Sequence, residues 1–404
     1  MTNGLAAPLK VMYLLNGLGT GGAERSLADL LPRLQARGVE LVIVCLFRRS
    51  MGVQSEVLAT SEVHFLEATS WWGRIRDARR HLRSLRPDVL HTTLFESDVI
   101  GRIAAIGSGV PVLSSLVNTS YDRARILADP QLRRTRLLAA RWLDGLTARH
   151  LVVRFHAITS AVKDAAIEHL RLPPDQIAVI GRGRDLQRLG ERSPGRRQEA
   201  RDRLRLVTQD EVVLAVGRQE FQKGQVFLIE AISQLRSEKP HLRLLIAGRE
   251  GNATIQLQAA IARLSLTDYV SLLGHRADVG DLLSAADVFC FPSIYEGLGG
   301  AVIEAMEMGT PIVATDLPAL REVLGNSAIL VAPRSAPALA QAIRHVLSDP
   351  ELARSMAAAA QMRARQEFSL DRIADQMAGL YREVAAQGRR RRPRGGLKGS
   401  TRAW

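Results

Sequence analysis

Short apolar, β-branched runs alternate with helix-length amphipathic segments along the whole chain. In the first half, strands are expected at Lys10–Leu15, Leu41–Leu46, Val63–Leu66, Val89–His91, Val112–Leu116, His156–Thr159 and Ile177–Ile180. Between them, Glu24–Arg37 sets Leu27, Leu30, Leu31 and Leu34 on one helical face, and Pro32 is expected to kink or shorten that helix. Ser160 is the expected N-cap of a helix running to Leu170. This alternation is the signature of βαβ units on a parallel sheet.

The pattern breaks at Arg188–Gln198, where Ser193, Pro194, Gly195 and paired arginines interrupt the periodicity, and a linker is expected there. Strands then resume at Val212–Val216, Arg243–Ala247, Tyr269–Leu272, Val288–Phe291, Ile312–Ala314 and Ala328–Val331. Helices are expected at Val226–Leu235, Ile255–Leu264, Ala301–Met308, Ala338–Leu347, Glu351–Phe368 and Asp371–Ala386. The fold class is therefore α/β, with two doubly wound parallel-sheet domains in sequence. The expected units are an amino-terminal Rossmann-like domain over 1–187, a linker over 188–198 and a second such domain over 199–370. A helix over 371–387 and a basic flexible tail over 388–404 follow. Open parallel sheets bind ligands at the carboxyl ends of their strands, so two facing sheets enclose a cleft lined by loops of both.

Composition narrows the class. The chain has 404 residues, 46% apolar and 24% charged, which excludes a disordered or fibrous protein. The longest apolar runs, such as Leu41–Phe47, are strand-sized, and no secretory leader is read at the start, so a cytoplasmic address is expected. Cys45 and Cys290 lie in apolar strands and read as buried thiols. Half of the net charge of +14 comes from the tail after Gln387, with six arginines and one lysine and no acid. Further basic patches are Arg74–Arg86, Arg123–Arg154 and Arg182–Arg205. They suit a solvated surface, an anionic substrate or an anionic membrane face better than nucleic acid, because aromatics make up only 4% of the chain.

Three loops hold the candidate chemistry. Asn16–Glu24 is glycine-rich, follows a strand and opens a helix, as an anion cradle does. Gly17, Gly19 and Gly22 also spell a dinucleotide fingerprint, and Arg48–Arg49 at the end of the next strand suits an NADP phosphate, so an oxidoreductase stays open. The second loop, Gly217–Gly224, places Arg218 and Lys223 at a helix start, where they suit a diphosphate gaining charge as it departs. Lys223 is one of only five lysines beside fifty arginines. The third loop, Pro292–Gly300, ends a strand and opens a glycine-rich turn, with Glu296 in the turn and Glu304 in the following helix. A carboxylate accepts two hydrogen bonds and suits a vicinal diol.

Together these strings resemble the retaining GT-B glycosyltransferases of family 4. The resemblance rests on Gly217-Arg218, Lys223-Gly224, Pro292-Ser293, Glu296-Gly297-Leu298-Gly299, Glu304-Ala305-Met306 and Gly309-Thr310-Pro311, with the amino-terminal glycine loop and Pro87–His91 in support. It implies that Arg218 and Lys223 bind and stabilise the donor diphosphate in place of a metal, with no cofactor. Glu296 would contact the donor sugar and Glu304 the nucleotide ribose. Gly21, Gly22, Gly297, Leu298, Gly299 and Gly300 would line the donor, and Arg276 falls where relatives hold the base. His91 matches the first histidine of a His-x-His string that here reads His91-Thr92-Thr93, and it is a further catalytic candidate. Where relatives read Asn-Gly-Val-Asp, this chain has Arg182-Gly183-Arg184-Asp185. Arg182 and Arg184, with Asn118, are therefore candidates for acceptor binding.

The function implied is retaining, metal-independent transfer of a sugar from a UDP- or GDP-linked donor to a saccharide or lipid-linked saccharide. Such transfer serves envelope or exopolysaccharide synthesis, peripheral on the inner membrane face. A sugar-nucleotide epimerase or phosphorylase on the same fold, or a non-catalytic nucleotide-sugar-binding module, are the alternatives.

Overall fold

The computed structural model describes residues 8–49, 52–122 and 134–391. The first sheet has seven parallel strands: β1 Leu9–Leu15, β2 Val39–Cys45, β3 Val63–Phe65, β4 Val89–Thr93, β5 Val112–Leu116, β6 Arg154–Ala157 and β7 Ile177–Val179. Their order is β3-β2-β1-β4-β5-β6-β7. Its helices are α1 Gly22–Gln35, α2 Gln54–Thr60, α3 Trp71–Leu85, α4 Phe95–Ala104, α5 Arg134–Leu151 and α6 Ser160–Leu170. The strands read as unbroken apolar runs because both sheet faces are covered. Along β1, Met12 and Leu14 enter one core while Val11, Tyr13 and Leu15 enter the other.

Two short helices, α7 Leu186–Leu189 and α8 Pro194–Arg203, lead into the second sheet. Its six parallel strands are β8 Glu211–Val216, β9 Leu242–Ala247, β10 Val270–Gly274, β11 Val288–Phe291, β12 Ile312–Thr315 and β13 Ile329–Val331, in the order β10-β9-β8-β11-β12-β13. Helices α9 Gln225–Leu235, α10 Thr254–Arg263, α11 Val279–Ala285, α12 Gly300–Glu307, α13 Pro318–Leu324, α14 Ala336–Ser348 and α15 Pro350–Glu367 cover it. The last helix, α16 Leu370–Arg391, returns to the first domain. There Ile373, Met377, Tyr381 and Val384 fill the core beside α1.

Several expectations need correction. Helix α1 spans Gly22–Gln35 instead of Glu24–Arg37, with Pro32 in its last turn, which is the shortening expected of that residue. The cap of α6 is Thr159, not Ser160: its hydroxyl accepts from the Val162 amide at 3.2 Å, and Ser160 is already helical. The expected linker contains the start of α8, with Ser193 as cap and Pro194 in the first turn. Arg196 and Arg197 tie α8 to Asp281 at 2.7 Å and Asp287 at 2.6 Å, so charge pairs hold a helix that has little apolar periodicity. The expected flexible tail begins inside α16, which continues to Arg391; residues 392–404 lie outside the described chain.

The two domains meet beside the cleft. The Thr159 hydroxyl donates to the Gly297 carbonyl at 2.9 Å, and the Glu322 carboxylate accepts from the Ser160 amide at 2.8 Å. A side chain at Gly297 would come within 2.4 Å of the Val117 carbonyl, so glycine permits the domains to approach this closely.

Candidate active site

The carboxyl ends of both sheets face one cleft of about 1100 Å³. From the first domain, Gly21, Gly22, Asn118, Arg182 and Arg184 line it; from the second, Arg218, Lys223, Glu296, Leu298, Gly299, Gly300 and Glu304 do. Gly297 belongs to the domain contact described above, and Arg276 is outside the cleft lining, paired with Asp278 two residues on. His91 is also outside it. Its ring is 2% exposed, with Nδ1 at 2.7 Å from the Tyr381 hydroxyl and Nε2 at 2.7 Å from the Ser115 hydroxyl. Both nitrogens are occupied, so His91 sits in a buried hydrogen-bonded network rather than at the cleft surface.

The second domain's side is built from two turns. Gly224 has φ +60 and closes the turn after Lys223; a Cβ there would lie 2.1 Å from the Pro292 carbonyl, so the Lys223 loop and the Pro292 loop are pressed together. That contact lets the Lys223 ammonium donate to the Glu296 carboxylate at 2.7 Å and lie 5.0 Å over the Phe291 ring. Arg218 pairs with Glu220. Gly299, with φ +84, is the N-cap of α12, and no side chain caps that helix. Its first amides are thus free of side-chain partners and point to where an anion fits.

The two arginines of the 182–184 loop have different surroundings. Arg184, expected at the acceptor, is 4% exposed and reaches across to the donor domain. It donates to the Ser26 hydroxyl at 2.6 Å and lies 3.5 Å from the Glu304 carboxylate, which Arg188 also contacts at 3.3 Å. Burial lowers the Arg184 pKa, and Glu304 and Asp29 offset part of that. Arg182 has no hydrogen bond or ion pair among the described residues and borders the cleft beside Tyr13 and Glu24. The Asn118 side chain turns back onto the Thr119 amide at 2.9 Å.

Sequence reading missed a buried charge cluster in the first domain. Arg102 is 1% exposed and donates to Asp144 at 2.7 Å, with Asp98 at 3.7 Å. Burial raises the Asp98 pKa to about 6. Asp98 and Asp144 both border the cleft, as do Arg249 and Asn252 opposite. The partners of Arg102 are up to 45 residues away, so no local motif announces them. Gly248-Arg249 after a strand was a signal of the kind seen at Gly217-Arg218.

Comparison with known proteins agrees with this architecture. The glycosyltransferase family 4 model matches residues 20–188, and the model for glycosyl transferases group 1 matches residues 196–363. The chain is 31% identical over 252 residues to alpha-D-kanosaminyltransferase of Streptomyces kanamyceticus, covering 61% of this chain and 64% of that enzyme. It is 30% identical over 332 residues to D-inositol 3-phosphate glycosyltransferase of Streptomyces coelicolor, covering 76% of this chain and 71% of the relative. Among solved structures, Anabaena HepE in complex with UDP and glucose superposes with a TM-score of 0.80 at 23% identity, covering 93% of this chain and all of that one. Sucrose-phosphate synthase from Thermosynechococcus elongatus gives 0.80 at 21% identity over 94% of this chain and 100% of that one. With both halves of its fold matched and its relatives spanning the two domains, the chain belongs to the glycosyltransferases of family 4 and has their GT-B architecture.

Proposed function

We propose that this protein moves a sugar from a nucleotide-diphosphate donor, UDP- or GDP-linked, to an acceptor hydroxyl with retention of anomeric configuration and without a metal ion. The observation that supports it best is the Lys223–Glu296 pair, held at 2.7 Å beside the uncapped start of α12. In the free protein the ammonium and carboxylate neutralise each other. An entering diphosphate takes the Lys223 charge, which frees Glu296 lone pairs for the sugar hydroxyls. Arg218 and the amides after Gly299 add positive potential where the leaving group gains charge. The bond from the anomeric carbon to the phosphate oxygen breaks, and its electron pair stays on that oxygen. The acceptor oxygen bonds on the same face, and its proton passes to the departing phosphate. Glu304 holds the ribose in exchange for its contacts with Arg184 and Arg188. Solved relatives such as HepE bind UDP and glucose, which fits such a donor.

The acceptor we propose is a saccharide, lipid-linked, with a negative group near the attacked hydroxyl. Arg182 is the basis: a cation at the cleft with no hydrogen bond or ion pair among the described residues leaves room for an anion. Among the described residues no helix is long and apolar enough to cross a membrane, so lipid-linked acceptors would be met from a peripheral, cytoplasmic position.

The deciding experiment follows the purified protein in EDTA with UDP- and GDP-sugars and reads both nucleotide release and product stereochemistry by NMR. An α-linked product from an α-linked donor supports the proposal. An inverted product, a strict requirement for divalent metal, or turnover of the donor to an isomer without acceptor would overturn it.

A further inference from the structure

Three of the chain's four tryptophans, Trp71, Trp72 and Trp142, are exposed, at 40%, 78% and 66%. Trp72 opens α3, and Arg76, Arg80 and Arg83 follow it at helical spacing along one stripe. In α5, Arg134, Leu138, Arg141 and Trp142 share a stripe in the same way, with Leu138 60% exposed. Each helix has a single acid, Asp77 in α3 and Asp144 in α5, and both are buried. The exposed surfaces of the two helices therefore combine indole rings and arginines with no carboxylate. Acids on flanking segments are Glu67, exposed before α3, Asp88 after it, which accepts from the Lys10 amide and Arg389, Glu96, which accepts from Asn16 at the start of α4, and the exposed Glu168 of α6, which packs on α5.

Position makes this more than scattered exposure. Helices α3 and α5 both pack on α4, so they share one side of the first sheet, about 20 Å apart at two helix spacings. Helix starts in βα units lie at the carboxyl edge of the sheet, and that edge is the cleft mouth. The first half of α5 shows the geometry directly: Leu137 and Ala140 line the cleft while Leu138 and Trp142 face outward.

We infer that α3 and α5 dock the amino-terminal domain on an anionic membrane surface, with the tryptophans in the headgroup layer and the arginines on the phosphates. Indoles favour that layer because one edge is polar and the ring is apolar, and arginine stems lie along it with their charge outward. Arg80 lies 3.3 Å from Asp77, whereas Arg76, Arg83, Arg134 and Arg141 have no ion pair among the described residues, and such uncompensated arginines are drawn to an anionic leaflet. The cleft mouth then lies at the bilayer, where a lipid-linked acceptor is presented; only that last clause rests on the proposed transferase reading.

The test is sedimentation of the full chain with vesicles of phosphatidylcholine alone or with phosphatidylglycerol. The arms are wild type, W72S/W142S, and a chain ending at Arg391. The melting temperature, with and without UDP or GDP, is followed for each arm as a check on folding. Binding to anionic vesicles only, lowered about tenfold in W72S/W142S and kept by the shortened chain, is the expected result. Brominated lipids should quench the wild-type tryptophan fluorescence. No wild-type binding, equal binding by W72S/W142S, or loss on removal of residues 392–404 overturns the inference. So does tighter binding to a duplex oligonucleotide than to the vesicles. A protein that binds vesicles but shows no shift with either UDP or GDP would sink the donor reading and leave the docking face standing.

Discussion

On the second domain's side of the cleft, Arg218 and Lys223 each sit against an acid of their own domain at the cleft surface, in short turns. On the first domain's side, Arg102, His91 and His156 are buried and reach partners far along the chain. Burial holds both imidazoles below the usual histidine range, His156 at about 4, so they stay neutral near pH 7. The difference teaches how each side uses charge. Cations paired at the cleft surface are open to exchange of their acids for a ligand, whereas the buried groups of the first domain are fixed partners that shape a wall.

The comparison breaks most sharply at Arg102. Arg102→Ala leaves Asp144 and Asp98 buried without their cation, and it should cost about 3–5 kcal/mol of stability in denaturant unfolding. A cost below 1 kcal/mol would mean that water reaches the cluster and that the two sides do not differ.

Lys223→Ala should do the reverse, lowering kcat by about 10²–10³-fold with the melting temperature nearly unchanged. Loss of stability with little loss of turnover would turn Lys223 into a structural residue.

A smaller effect separates the domains by pH. Glu307 in α12 has its pKa raised to about 7 by burial. The folded state thus holds a proton that the unfolded state has lost, and stability rises as pH falls from about 7 to about 4.5. His156 has the opposite sign, so stability falls as pH drops from about 6.5 to about 4. Glu307→Gln should therefore stabilise the protein by about 2 kcal/mol at pH 8 and leave a steeper acid loss below pH 6.5. Calorimetry across pH 4–8 reads both; an unchanged profile would place Glu307 in solvent.

The smallest expected change is at the domain contact. Thr159→Ala removes the α6 cap and the bond to Gly297, for about 1–2 kcal/mol in unfolding. A weaker donor KM in this variant would tie the contact to cleft closure.

The same divide explains what was legible. The donor loops could be read because their chemistry lies within a few residues, as in Glu296 to Glu304, and strands β1 and β8 because fully buried parallel strands are continuous apolar runs. Helix α3 reads only as a basic patch, since five arginines surround its buried stripe of Ile75, Ala78 and Leu82. The His91–Tyr381 bond joins residues 290 apart, and neither side chain signals the other in sequence. Arg184 looked free for an acceptor because Glu304 and Ser26 approach it only in the folded cleft.

Helix α16 has a consequence for how the protein is made. Its stripe belongs to the core of a domain whose other elements are complete by β7, so that core stays open on one side while the second domain emerges from the ribosome. At about 5–20 residues per second the delay is roughly 10–40 s. A fragment cut before α8 would lack that cover and should aggregate, so the first domain matures only after the second has been synthesised.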